Sequence, residues 1–203
     1  MVTVEWIITY VRAASRVLEV GAGDGATMCF LAKQFGDKQF IACEQNAKQL
    51  RRLREHIERQ RLNNVTVSES NFAENVERDT FDLIYCVDVL EHVRDDLAFL
   101  RKIRDALRPG GHVFLHVPVP GIDVFEDKDH VRPGYEQNDL AALLETAGFR
   151  VERMKYTFGR RGLEYHHSKR KMSHLRRAIV HLLDMADSEK VRSEIGVIAT
   201  RVG

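Results

Sequence analysis

The sequence predicts an α/β layered fold in which a mostly parallel sheet is joined by crossover helices. Three observations carry that prediction: short β-branched apolar runs recur along the chain, helical segments separate them, and a glycine-rich turn closes the first run. The runs at residues 17–20, 40–43, 65–68, 81–87 and 112–117 are the expected strands. Between them, residues 46–61 and 95–107 have the composition and apolar spacing of helices. Arg108-Pro109-Gly110-Gly111 ends the second of these helices, because proline blocks helix continuation and glycine admits positive φ. Residues 118–133, rich in proline, glycine and acidic side chains, read as a long loop, and loops of that length in a compact domain tend to be functional. Residues 137–146 form a helix closed by Gly148, followed by an alternating strand at 149–158 and a last strand at 195–201. An insertion at 159–193, helical in apolar spacing over 172–185, separates these two strands. No internal repeat or low-complexity segment breaks the chain, so residues 1–203 are expected to form one domain.

The 203 residues can bury a core without disulfide or metal staples. Their 31 basic and 30 acidic side chains nearly cancel, so global charge announces neither a nucleic acid nor a membrane. Cys29, Cys43 and Cys86 lie in apolar stretches without metal-type spacing and read as buried reduced thiols, which favours a reducing compartment. No basic leader and no membrane-length apolar run is visible, and a cytoplasmic location is expected.

The segment VLEVGAGDG at 17–25 narrows the chemistry furthest. Its glycines let the backbone turn sharply and approach a ligand, with the amides of the following helix start aimed at it. Glu44, at the end of the second run, falls about twenty residues later, where an acidic side chain can accept hydrogen bonds from ribose hydroxyls. Gly21-Ala22-Gly23-Asp24-Gly25-Ala26 also satisfies the dinucleotide pattern, so this half alone is compatible with a nicotinamide dehydrogenase.

The second half favours another family. FDLIYCVDVLEHV at 81–93, followed by LRKIRDALRPGGHVFLHVP at 100–118, resembles the class I S-adenosylmethionine-dependent methyltransferases, especially the group containing many small-molecule enzymes. The resemblance spans about residues 17–149. It implies a Rossmann-like, doubly wound sheet of seven strands whose last strand is inserted antiparallel, here with a helical insertion before that strand. It implies S-adenosyl-L-methionine as cofactor, with Glu19, Gly21, Ala22 and Gly23 around the methionine portion, Glu44 on the ribose and Gln45 beside adenine. Asn71 would bond the adenine amino group, Phe72 would cover the ring, and Cys86, Val87 and Asp88 would border the sulfonium and the acceptor.

Aligning nucleophile and methyl supplies much of the acceleration in such a transfer, and a base is needed only when the acceptor must lose a proton. Asp88, Glu91 and His92, spaced i, i+3, i+4, would share one face if that segment were helical. The trio resembles the metal-binding acidic-acidic-His arrangement of ubiquinone O-methyltransferases, with aspartate in place of the first glutamate. No metal is assigned to it; Asp88 and His92 are the catalytic candidates, with local packing or bonding as the alternative for His92. His130, in DHVRPGY, is a further candidate acceptor contact or a polar loop residue.

Between Arg150 and Arg177 ten basic residues stand against two acidic ones, Glu152 and Glu164, with Tyr156, Phe158 and Tyr165 among them. That imbalance fits an anionic partner (a phosphate-bearing acceptor, RNA or acidic lipid) or a solvated helix face. The apolar positions of 172–185 fit a cover over the active site, pairing in a homodimer or a membrane surface alike. Only sixteen residues precede the first strand, and Trp6, Ile7, Ile8 and Val11 are expected to form a reduced version of the N-terminal cover of relatives. The leading expectation is methyl transfer to oxygen or nitrogen of a small or medium-sized acceptor. An RNA or other macromolecular methyltransferase, a non-catalytic methyltransferase-like subunit and a nicotinamide dehydrogenase are the alternatives.

Overall fold

The structure, a computed structural model, describes residues 2–69, 72, 77–121, 130–159 and 192–203. Seven strands form one sheet in the order β3-β2-β1-β4-β5-β7-β6. They are β1 (Arg16–Val20), β2 (Gln39–Cys43), β3 (Val65–Ser68), β4 (Phe81–Val87), β5 (Leu107–Pro118), β6 (Phe149–Gly159) and β7 (Arg192–Arg201). The helices are α1 (Val2–Ala13), α2 (Ala26–Gln34), α3 (Ala47–Gln60), α4 (Asp96–Ala106) and α5 (Gln137–Thr146). Strands β1 to β5 pair in parallel, whereas β7 runs antiparallel between β5 and β6. This is the doubly wound arrangement that the alternating pattern and the resemblance predict.

The central strands are apolar on both faces because helices cover both. Val17, Leu83, Tyr85 and Phe114 pack with α1, α2 and α3 residues such as Ile7, Met28 and Leu53 on one side. Leu18, Ile84, Val113 and Leu115 pack with Leu100 and Ile103 of α4 and Leu140 and Leu144 of α5 on the other. Trp6, Ile7 and Val11 are buried in the first of these layers, with the Trp6 ring 5.7 Å from that of Phe114. They are core residues rather than an acceptor cover, because their apolar faces fill the sheet surface that α1 lies on.

Local signals set the helix ends. Asn46 caps α3 by accepting from the amides of Lys48 and Gln49, and Arg61 closes it in the left-handed region at φ 54°. Asp95 caps α4 by accepting from Ala98 N–H at 2.9 Å. The Arg108–Gly111 turn departs from expectation in detail. It lies within β5 as an irregularity, for Phe81 pairs with Leu107 but Leu83 pairs with His112, so the intervening residues bulge from the ladder.

Gly25 precedes α2 with φ 77°, and a Cβ there would lie 2.2 Å from Cδ1 of buried Leu53. Both the backbone and the packing require glycine. Gly25→Ala should cost at least about 2 kcal/mol, combining left-handed strain with displacement of a packed leucine. Urea unfolding checks this: the midpoint should drop at unchanged slope, and an unaltered midpoint would contradict the packing described.

Candidate cofactor and acceptor site

The strand order reverses between β1 and β4, and a cavity of about 400 Å³ opens at the carboxyl ends of the strands there. Its wall comprises Val20 at the end of β1 and Gly21 after it, Cys43 at the end of β2 with Glu44 and Gln45 after it, and Phe72 beyond β3, with Val89, His92, Val93 and Phe99 completing it. The glycine turn is tied to β2 through backbone: Gly21 N–H and Ala22 N–H both donate to the Cys43 carbonyl, at 2.9 and 3.0 Å. Gly21 has φ 73°, and a Cβ on it would meet Val89 Cγ2 at 2.5 Å, so only glycine lets the turn close against the segment after β4.

Glu44 organises the turn. Its Oε2 accepts from Gly23 N–H at 2.7 Å, and its Oε1 accepts from Gln45 N–H at 2.8 Å and Asn46 N–H at 2.7 Å. These bonds fix the carboxylate at the rim and hold the turn beside it. Phe72 and Phe99 meet edge to face with ring centroids 5.6 Å apart, giving the cavity an aromatic wall.

The residues expected around the cofactor divide into two sets. Gly21, Glu44, Gln45 and Phe72 line the cavity, and Gly23 joins them through its bond to Glu44. Glu19, Ala22 and Val87 are not in the wall. Glu19 is buried beneath the turn, where Tyr85 Oη donates to its Oε2 at 2.9 Å. Burial pushes its pKa up to about 8 against the opposing effect of that bond. Asn71 lies outside the described residues, as do most of the insertion, the basic residues from Arg160 to Arg177, Glu164 and Tyr165.

The expected common face of Asp88, Glu91 and His92 does not form. Only Leu90–His92 makes a single 3₁₀ turn, and Asp88 precedes it in the left-handed region at φ 53°. The trio is split between two clusters. Glu91 and His92 gather with His130, one ligand atom from each lying within 4.8 Å of the others, and the rings of His92 and His130 are 4.6 Å apart. Asp88 instead gathers with His116 of β5 and Glu194 of β7.

The DHVRPGY segment folds back over the 3₁₀ turn. Val131 N–H donates to the Glu91 carbonyl at 3.0 Å, and Arg132 donates to the carbonyls of Val93 and Arg94 while pairing with Asp96. Tyr135 Oη donates to Asp96 Oδ2 at 3.0 Å. Under this strap Glu91 is 1% exposed, and burial pushes its carboxyl up to about 8. Imidazole and carboxylate are competent metal ligands, so both clusters have the donor chemistry of a cation site; the geometry equally suits proton transfer.

The site geometry agrees with comparison to known proteins. A family model described as a methyltransferase domain matches residues 18–113, which run from β1 into β5 and include the glycine turn, Glu44 and the segment after β4. Residues 18–113 thus match a methyltransferase domain, and the chain shares its fold with S-adenosylmethionine-dependent methyltransferases. The chain is 34% identical over 100 residues to a ubiquinone biosynthesis O-methyltransferase of Aliivibrio fischeri, covering 49% of this chain and 42% of that protein. It is 26% identical over 105 residues to (S)-coclaurine N-methyltransferase of Thalictrum flavum, covering 52% of this chain and 29% of that protein. The matched part thus spans less than half the length of these curated relatives. The fold is shared more widely. A SAM-dependent methyltransferase from Archaeoglobus fulgidus superposes with a TM-score of 0.72 at 17% identity, covering 98% of this chain and 92% of that one. Phosphoethanolamine N-methyltransferase 2 of Haemonchus contortus, in complex with S-adenosyl-L-methionine, gives 0.69 at 19% identity, covering 93% and 49%.

The cavity fits the family's cofactor. A carboxylate stands at the end of β2, the space beyond Gly23 is open, and two aromatic rings flank the wall. Val89, Val93 and Phe99 were not legible as site residues, because apolar side chains after β4 and on α4 carry no signal that separates cavity wall from core. His116 and Glu194 were missed for a related reason: each sits in a strand-like run, and only the pairing of β5 with β7 brings them together.

Proposed function

We propose that this chain moves a methyl group from S-adenosyl-L-methionine to oxygen or nitrogen of a small or medium-sized acceptor. The observation that carries the reading is the cavity at the switch point, where the glycine turn, the Glu44 carboxylate and the Phe72–Phe99 wall converge. The bound cofactor supplies an electrophilic methyl on a sulfonium with a good leaving group. Glu44 would hold the ribose hydroxyls, Gln45 and Phe72 would flank adenine, and the turn from Gly21 to Gly23 would receive the methionine portion. Glu19 would act from beneath the turn, Ala22 through its backbone, and Val87 from the end of β4. Asp88 and His92 would face the acceptor. Asn71 keeps its assigned place beside adenine as part of this proposal.

Resemblance to both an O- and an N-methyltransferase supports acceptors of either heteroatom. Buried reduced Cys29, Cys43 and Cys86 support a cytoplasmic setting, and among the described residues no helix is long and apolar enough to cross a membrane. Arg150, Arg153 and Lys155 are exposed along β6, which supports an anionic group on the acceptor, although Glu152 stands among them.

Calorimetry with S-adenosyl-L-methionine tests the cofactor. Gly23 has φ 56°, where any other residue is strained by about 1–2 kcal/mol, but a Cβ on it would meet no atom within 4 Å, so Gly23→Arg should fill the site at that modest cost to stability. Binding to the parent chain and its loss in this variant are expected; a folded parent that binds no cofactor overturns the reading. Transfer of labelled methyl to fractionated metabolites, lipids and RNA then identifies the acceptor, and label found in RNA alone would overturn the small-acceptor reading.

A further inference from the structure

Two histidines and a buried carboxyl from two separate segments converge at the edge of the cavity. Glu91 and His92 belong to the 3₁₀ turn after β4, whereas His130 opens the strap that folds back over that turn. One ligand atom of each lies within 4.8 Å of the others. The His92 and His130 rings have centroids 4.6 Å apart and planes at 75°, so the pair is crossed rather than stacked. Rings stacked face to face send their nitrogens along parallel directions, while crossed rings let one nitrogen of each point to a common spot. Val131 N–H, one residue beyond His130, donates to the Glu91 carbonyl at 3.0 Å, and Arg132 donates to the carbonyls of Val93 and Arg94. These bonds pin His130 to the turn.

Glu91 is buried without a matching partner. The residue is 1% exposed, and among the described residues its Oε2 has no hydrogen-bond partner. Buried polar atoms are nearly always paired, and one that is not calls for a ligand such as an ion or a water. Two imidazoles beside that carboxyl are the donor set of a first-row transition ion. We propose that Glu91, His92 and His130 hold a divalent transition ion of the zinc or cobalt class.

This set differs from the acidic-acidic-histidine trio that the sequence spacing resembles. Asp88 turns away in the left-handed region, and its Oδ1 lies 3.7 Å from Nδ1 of His116. His130, which that trio lacks, takes the third place through the strap. Exchanging a carboxylate for an imidazole also changes the ion preferred: oxygen-rich sites suit magnesium or calcium, and imidazole-rich ones suit zinc, iron or nickel. Bonds of about 2.1 Å at tetrahedral angles put ligand atoms about 3.4 Å apart, so the three side chains close in by roughly 1 Å on binding. His92 is exposed and His130 half-buried, which gives both rings room to move and the ion a path of entry.

The place of the cluster gives the ion a use. His92 also lines the cofactor cavity, so an ion on its ring stands at the cavity rim, and three protein ligands leave a fourth position for a further one. An acceptor carrying a hydroxyl or carboxylate oxygen is the class that such a position takes. Placing the acceptor there rests on the methyl-transfer reading above; binding of the ion does not. In the chain stripped of ions burial holds the Glu91 carboxyl at about 8, and the ion takes the place of its proton.

The deciding experiment is a Co²⁺ titration of the full chain, stripped with a chelator and dialysed, followed by the visible absorption of the bound ion. One equivalent should bind, Zn²⁺ should displace it and Mg²⁺ should not. His92→Ala, His130→Ala and Glu91→Gln should each raise the Kd at least about tenfold, whereas Asp88→Asn should change it less than about twofold. Neither histidine is buried, so their variants report even where the Glu91 change impairs folding. A folded chain without saturable absorption, a Kd that His130→Ala leaves unmoved, a loss in Asp88→Asn as large as in His130→Ala, or displacement by Mg²⁺ as ready as by Zn²⁺ overturns the site. The acceptor fraction from the labelling assay should shift the cobalt absorption, and an unshifted spectrum overturns the acceptor contact. Failure of cofactor binding in calorimetry would instead overturn the methyl-transfer reading, and the cobalt titration still judges the ion site by itself.

Discussion

Glu44→Ala is expected to weaken S-adenosyl-L-methionine binding by about 100-fold. Two hydrogen bonds from ribose hydroxyls to a carboxylate, each worth about 1.5 kcal/mol, account for a loss of that size. The carboxylate also accepts from the amides of Gly23, Gln45 and Asn46, so its removal loosens the glycine turn that the methionine portion would contact. The two effects act in the same direction. Glu44→Gln keeps part of each, since its single amide oxygen can still accept on one side, from Gly23 or from Gln45 and Asn46, while its amide nitrogen accepts from neither the turn nor ribose. Calorimetry should therefore place Glu44→Gln between the parent and Glu44→Ala. Equal affinity in all three proteins would show that Glu44 does not contact the cofactor.

Unfolding stability should fall as pH rises from about 5 to about 8. Glu19 and Glu91 are both buried, and burial lifts each carboxyl to about 8, far above the value of about 4.3 expected in an unfolded chain. A group whose folded pKa is raised binds its proton more tightly in the native state, so its contribution is complete below the unfolded pKa. It is lost as pH climbs through the folded value. Each such group gives a slope of up to about 1.4 kcal/mol per pH unit in that window. His116, whose pKa is also raised, adds a loss in the same direction at the upper end of the range. Asp82, Asp105 and Glu152 are shifted down, so their contributions disappear only at lower pH and set the acid limb. Urea midpoints measured across this range should decline, and Glu19→Gln and Glu91→Gln should each flatten the decline. A profile that is level from pH 5 to 8 in the parent would show that the two carboxyls are not held protonated.

The buried carboxyls also explain why part of the site was legible in advance and part was not. The glycine turn and Glu44 were readable because backbone freedom and an acidic strand end act locally: the turn follows β1 directly, and Glu44 follows β2. The spacing of Asp88, Glu91 and His92 was readable too, but its meaning depended on the segment being a regular helix. Donation of Asp88 N–H to the His116 carbonyl instead extends the ladder one residue beyond β4, and a left-handed residue then turns the chain. The 3₁₀ turn that follows is too short to align all three side chains.

Period and punctuation along the chain determined the α/β class, the order of strands and helices, the helix caps and the glycine cradle, because each depends on residues close in sequence. Tertiary structure alone decided which ionisable groups meet. Insertion of β7 between β5 and β6 places Glu194 beside His116 across 78 residues of chain, and the strap at 130–135 seals Glu91 against water. Hydrogen bonding between strands and loss of solvent create those neighbours, and neither is written in the spacing of any single segment.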